Sequence, residues 1–312
     1  MKSEEKYLGI DIGGTAIKLG LMNEELEIIG RSETLLEGSG NPHVMGTVIK
    51  AIDSLLDEAS CDPKCLAGMG VSAAGCVDKN TGSIAKNGGN VPGWSHTEVV
   101  KILEEKYGIP AVLINDGNAV ALAESSKGAA SGSSDVICIV IGTGIGGGII
   151  SGGTLIEGNR GFAGEIGHFP THSGGNDRIY FENRASSAAL VRNSVKVNNE
   201  WNSGRSLFGA ALAGEQPALD LIDSWLNELT YGITGLVHIF NPEIVLIGGG
   251  VSAQEELLIK PLRDKVFNMI KPDFADGLEI KAASLGNDAG MIGAVCYLKE
   301  RLEEAGSLGG NV

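Results

Sequence analysis

The chain has 312 residues, 43% of them apolar, with 24 basic against 39 acidic residues and a net charge of -15. Such a surface repels phosphate backbones and anionic lipid, so neither nucleic acid nor membrane is expected as its main partner. The opening MKSEEKYLGIDIGG has no apolar signal core, the longest apolar stretch (136–150) is laced with glycine, and the five cysteines are scattered; a cytoplasmic protein with reduced thiols is expected.

In chain order, Tyr7–Ile12 reads as a strand, Gly13-Gly14-Thr15 as a tight turn, and Ala16–Met22 and Leu26–Thr34 as two further strands of a meander. Residues 42–59 have helical periodicity, with Val44, Val48, Ile52, Leu55 and Leu56 on one stripe. A short buried strand, 66–72, ends at Ala73-Ala74-Gly75. A helix over 97–107 leads to a strand at Ala111–Asn115, and Asp116 opens a small-residue helix to about Lys127.

The opening pattern then returns. A strand over 136–141 runs into the glycine turn Gly142-Thr143-Gly144-Ile145-Gly146-Gly147 and a returning strand over 148–151. Residues 225–240 and 255–270 read as helices around a strand, 244–247, that ends in Gly248-Gly249-Gly250. A last helix starts at Met291. Two halves, each opening on a glycine hairpin and continuing in alternating helices and strands, imply duplicated α/β domains around a cleft.

Gly142, Gly144 and Gly147 fit the spacing of a dinucleotide fingerprint, but the residues after them are hairpin sequence and offer no helix N-terminus to a pyrophosphate. Neither glycine loop ends in the Gly-Lys-Ser/Thr of a P-loop. Two facing hairpins would instead give backbone N–H groups to a triphosphate from both sides. Asp11, beside such a loop, repels phosphate unless Mg²⁺ or water lies between, so it is expected to serve Mg²⁺, through water. Gly13, Gly14, Thr15, Lys18, Gly142, Thr143, Gly144, Gly146, Gly147, Gly248, Gly249 and Gly250 are the expected phosphate-side residues.

Taken in order, residues 8–18 (LGIDIGGTAIK), 90–94 (NVPGW), 114–119 (INDGNA), 141–148 (IGTGIGGG), 163–168 (AGEIGH) and 248–250 (GGG) resemble the ROK family, which contains bacterial glucokinases, other sugar kinases and sugar-responsive repressors. The resemblance implies the two-domain actin-like ATPase (ribonuclease H-like) α/β fold, with a smaller domain over 1–118, completed by a helix over 291–312, and a larger one over 119–290. It implies an ATP-dependent kinase using Mg²⁺ on the hydroxyl, expected to be the 6-hydroxyl, of a hexose such as glucose. A β-glucoside or N-acetylmannosamine is the alternative acceptor, and a homodimer the implied assembly. Six residues precede Tyr7, so the helix-turn-helix of a repressor is not expected.

Asp116, between an apolar strand and a helix, reads either as a helix cap or as a carboxylate that accepts a hydroxyl proton; the matching family aspartate is the catalytic base. The resemblance assigns Glu165, His168, Glu182, Asn90 and Asn115 to the sugar, with Gly75 beside them. The family usually carries a cysteine run that binds zinc together with the histidine matching His168. Here Ser173-Gly-Gly-Asn-Asp-Arg-Ile-Tyr180 stands in its place, so no zinc is expected. The far nitrogen of His168 then needs another partner, with Asn176, Asp177, Tyr180 and backbone carbonyls as candidates; His172 reads as a loop residue.

Overall fold

The alternation of the first segment folds as expected into a meander, β1 (Lys6–Ile12), β2 (Ala16–Met22) and β3 (Ile28–Leu35), paired antiparallel. β3 starts two residues later than its pattern suggests because Leu26 adopts φ 61° and donates its N–H to Asn23, closing a turn. The computed structural model describes residues 5–36, 41–86, 91, 93–174 and 177–309. α1 (Asn41–Glu58) leads to β4 (Leu66–Ala73), parallel to β1. A small hairpin, β5 (Cys76–Asp78) and β6 (Ser83–Lys86), precedes α2 (Val99–Tyr107). β7 (Ala111–Asn115) pairs parallel to β4 and runs directly into α3 (Asp116–Lys127). The sheet order is β3-β2-β1-β4-β7.

The same pattern is rebuilt downstream. β8 (Val136–Ile141), β9 (Ile145–Ser151) and β10 (Thr154–Leu155) form the second meander. A hairpin, β11 (Pro170–Gly174) with β12 (Asp177–Tyr180), is followed by α4 (Phe181–Ala185), α5 (Ser187–Val197), α6 (Gly204–Leu212) and the long α7 (Gln216–Phe240). β13 (Ile244–Gly248) is parallel to β8; α8 (Lys260–Met269) and β14 (Glu279–Ala282), parallel to β13, complete it. The order β10-β9-β8-β13-β14 repeats that of the first sheet. This is the duplicated α/β architecture of the actin-like fold.

α9 (Ala289–Gly309) packs on β1, β4 and β7 of the first sheet. Strand glycines admit it: a Cβ at Gly9 would lie 2.6 Å from the Met291 carbonyl oxygen, and one at Gly70 would overlap the backbone of Ala294. The chain thus packs as two units. Unit 1 runs through Ser126 and takes in Glu157–Ala163 and the chain from Asn287 onward; unit 2 holds Lys127–Ile156 and Gly164–Gly286. Each buries its own core, Leu8, Ile10 and Leu19 against Val48 and Ile52 in unit 1, and Ile137, Ile139 and Val245 against Leu229 and Ile233 in unit 2.

Three expectations are corrected. The second glycine turn is confined to Gly142–Gly144, and Gly146 and Gly147 lie inside β9, paired with Val140 and Ile139. A Cβ at Gly147 would lie 2.5 Å from the Cys138 carbonyl oxygen and 2.6 Å from Cδ1 of Ile166, so the glycine serves packing within the strand. The helix expected over 225–240 starts at Gln216, with proline in its first turn where a missing N–H costs nothing. The helix expected over 255–270 opens as a π turn, Glu255–Ile259, before α8. Among the described residues no helix is long and apolar enough to cross a membrane.

Candidate active site

In unit 1 the parallel strands β1, β4 and β7 end along one edge, with Asp11 beside Ser72 and Ala73 beside Asn115 in register. Loops at the carboxyl ends of parallel strands are where open α/β sheets bind ligands. Ser72 donates its hydroxyl to Asp11 Oδ1 at 2.9 Å. Burial pushes the Asp11 carboxyl above its ordinary pKa, opposed by the Ser72 hydrogen bond and the charge of Lys18. A Cβ on Gly290 would lie 2.6 Å from Asp11 Cγ, so the last helix leaves room for this carboxylate. Gly13 donates its N–H to the Ala16 carbonyl, which leaves Gly14 and Thr15 at the exposed tip.

The strand-to-helix junction separates two roles that the sequence left open. Asn115 is the cap: its Oδ1 accepts the N–H groups of Gly117 (2.9 Å) and Asn118 (3.2 Å). Its Nδ2 donates to the Gly75 carbonyl at 3.2 Å and to Asp116 Oδ1 at 3.0 Å. Gly75 has φ 108°, a left-handed conformation in which glycine is unstrained and which turns its carbonyl to Asn115. Asp116 is exposed in the first turn of α3, where the N–H of Gly117 also reaches Oδ1 (2.9 Å) and the helix terminus favours the carboxylate. Asn90 lies outside the described residues.

In unit 2 two glycine turns abut at the carboxyl ends of β8 and β13. Gly249, at φ 93°, packs so close to the Ile141 carbonyl that a Cβ would overlap it. Gly142 accepts the N–H of Ser187, the first residue of α5, at 3.0 Å, and Thr143 is exposed at the tip. Beside these turns stands Glu182, on the first turn of α4. Its Oε2 accepts the backbone N–H of Ile145 at 3.3 Å, and its Oε1 is 3.6 Å from Nε2 of His168. The other ring nitrogen, Nδ1, is 3.3 Å from Oε2 of Glu165, which precedes the short 3-10 turn Ile166–His168. The imidazole thus stands between two carboxylates, with the Tyr180 ring edge-on at 6.2 Å.

Two groups outside the expected set stand at the nitrogens of His168. Glu165 and Glu182 face its nitrogens, and Tyr180 offers a ring edge rather than a hydrogen bond; Asn176 and the side chains of His172 and Asp177 lie outside the described residues. Sequence reasoning brought Glu165, His168 and Glu182 together and missed Ser72, Gly290 and the N–H of Ile145. Ser72 had a signal, a hydroxyl at the end of an apolar strand; a backbone N–H and a glycine inside a helix carry none.

Comparison with known proteins gives the following likenesses. The ROK family model matches residues 7–301. A glucokinase of Thermotoga maritima is 33% identical, with 95% of this chain and 98% of the relative aligned. A beta-glucoside kinase of Klebsiella pneumoniae is 31% identical, over 95% and 96%. The crystal structure of a ROK family glucokinase from Streptomyces griseus in complex with glucose and AMPPNP superposes with a TM-score of 0.80 at 29% identity, covering 93% of this chain and 97% of that one.

Proposed function

The chain belongs to the ROK family and is an ATP-dependent sugar kinase; from that premise we propose that it phosphorylates the 6-hydroxyl of a hexose such as glucose, with Asp116 as general base. The observation that carries this reading is the division of labour at the β7–α3 junction. Asn115 caps the helix, so the exposed Asp116 is held as a carboxylate by Asn115 and the Gly117 N–H without itself being the cap. A carboxylate so placed takes the hydroxyl proton as the oxygen attacks the γ-phosphorus. His168, Glu165 and Glu182 supply donors and acceptors for sugar hydroxyls, and Asn90, Asn115 and Gly75 complete the proposed acceptor set.

For the nucleotide, the proposal takes the turns Gly13–Thr15, Gly142–Gly144 and Gly248–Gly250 as backbone donors to phosphate oxygens, with Lys18 nearby and Gly146 and Gly147 shaping the strand behind. Mg²⁺ fits at Asp11. Mg²⁺ favours one or two carboxylates plus substrate phosphates over an all-protein cage, and a cation would relieve the unfavourable burial of that charge. It would supply neutralisation of the phosphates, Asp11 holding it through water. Among the described residues the groups facing His168 are two glutamates, and the proposal carries no stoichiometric zinc; metal analysis of protein purified without chelator, finding one tightly held zinc per chain, would overturn this. A cytoplasmic homodimer, as family resemblance implies, is part of the proposal, and light scattering measures the assembly.

The acceptor is tested by ADP release across glucose, 6-deoxyglucose, N-acetylmannosamine and a β-glucoside, with ³¹P NMR of the product. Turnover of glucose without turnover of 6-deoxyglucose supports the proposal. A β-glucoside preferred over glucose would move the assignment to the chemistry of the Klebsiella relative, and equal ADP release with no sugar would remove it.

A further inference from the structure

The geometry points to a second site in unit 2, a pocket behind α4 that binds a phosphate group, separate from the residues proposed for ATP and the acceptor. The pocket has a volume of about 370 Å³. Asn183 and Arg184 of α4, Arg192 and Lys196 of α5, and Trp225 and Glu228 of α7 form its wall. Three cations stand against one carboxylate there, a local balance of +2 in a chain whose net charge is -15. That contrast gives an anion a place to concentrate on an otherwise repelling surface.

The cations are held in position by the protein. Arg184 donates through Nη1 to Glu228 at 3.0 Å, and Arg192 donates through Nη2 to the Asn183 carbonyl at 2.7 Å. Each bond uses one of five guanidinium donors and leaves the others for an anion. Lys196, one turn beyond Arg192 on α5, donates to Asn193 at 3.2 Å. Two guanidinium forks and an ammonium match the three outer oxygens of a phosphate monoester better than the two of a carboxylate. Trp225 commits its Nε1 to the Ala185 carbonyl at 2.8 Å, so its ring contributes only apolar surface. A pocket with a cationic rim and an indole wall suits the phosphate of a small carbon-bearing ester.

The pocket is joined to the proposed active site by one peptide bond. Glu182, on the opposite side of the same short helix, holds Ile145 and faces His168, while its neighbours Asn183 and Arg184 wall the pocket. An occupant that draws on Arg184 and Asn183 therefore acts on the setting of Glu182. This consequence rests on the kinase reading; the binding itself does not.

The test is calorimetric titration of inorganic phosphate and, separately, glucose 6-phosphate into the full chain saturated with AMPPNP and glucose, which keeps the phosphate probes out of the proposed active site. Wild type should bind in a saturable way in the millimolar range or tighter. The double variant Arg192→Gln, Lys196→Gln should bind roughly 10- to 100-fold more weakly, while its thermal unfolding and its kcat without added phosphate stay as in wild type. Arg192→Lys should recover part of the loss. Tighter glucose 6-phosphate than phosphate identifies an ester as occupant, and equal binding identifies free phosphate. No saturable binding to wild type, or equal binding by the double variant, overturns the site whether or not the chain proves to phosphorylate hexoses.

Discussion

A Cβ on Gly144 would lie 2.5 Å from Oε2 of Glu182. The bare glycine is what admits that carboxylate to the N–H of Ile145, so a residue proposed for the nucleotide loop sets the position of one proposed for the sugar.

Gly144→Ala should therefore raise KM for the sugar as well as for ATP, and Glu182→Gln should do the same. His168→Ala should raise only the sugar KM, by roughly 5- to 150-fold for one lost hydrogen bond of about 1–3 kcal/mol. Steady-state kinetics with each substrate varied in turn checks this. Gly144→Ala with an unchanged sugar KM would break the link between loop and clamp.

Asp116→Asn keeps an oxygen for the Gly117 N–H and leaves the Asn115 cap in place. It should fold and bind AMPPNP as wild type does while kcat falls about 10²–10⁴-fold, the usual cost of losing a general base. A near-normal kcat in single-turnover experiments would strip Asp116 of that role.

Most of this framework was legible in the sequence because it rests on local signals. The two glycine hairpins stand out between apolar runs, and the Asp116–Lys127 helix follows from a strand ending in Asn-Asp. What was not legible depends on partners distant in the chain. β5, β6 and β14 are three or four residues long and too short to show a period. α5 went unread because it buries only Ala189, Leu190 and Ser194 of its eleven residues, and α6 because its nine residues, with Leu207, Phe208, Ala210 and Ala211 buried, are too few to show a helical period. The glycine run 142–147 misled, since glycine signals a turn and a tight strand contact equally well, and only the neighbour, Ile166, decides which.

Asp11→Asn should separate stability from activity. The native carboxyl has a raised pKa, so the folded chain holds a proton in a window where the unfolded chain has lost it, and stability falls as pH rises through that window. The neutral asparagine removes that loss. Its melting temperature should exceed that of wild type at pH 7–8, with the gain vanishing below about pH 4, near the ordinary carboxylate value. Activity should fall roughly 10²–10³-fold, as for loss of a group that organises transition-state charge. A variant less stable than wild type at pH 8 would show that ionised Asp11 is not the burden its burial implies.

Glu157 has the opposite sign. Burial alone would raise its pKa, but hydrogen bonds from Tyr297 (2.7 Å to Oε1) and Arg301, with Lys79 at 3.5 Å, hold it below the ordinary carboxylate range. Its stabilisation is present above the unfolded value and lost as pH falls through the depressed folded one. Glu157→Gln should cost about 2–4 kcal/mol at pH 7, below the roughly 3–5 kcal/mol for breaking a fully buried pair because Lys79 and Arg301 keep some exposure. Urea denaturation at pH 7 and at progressively acid pH should show the gap closing; equal midpoints at pH 7 would assign the cluster no stabilising role.

On the ribosome, β1 and β4 emerge long before the helix whose backbone lies against Gly9 and Gly70. Until residues 289–309 are made, no helix lies against those strand glycines, and the first sheet presents an uncovered apolar side. Unit 2, drawn wholly from residues 127–286, has all its strands and helices earlier. The usual vectorial order, in which N-terminal domains fold first, is thereby inverted: unit 1 is begun before unit 2 and finished after it, and its exposed side must be kept from aggregating until that helix is made.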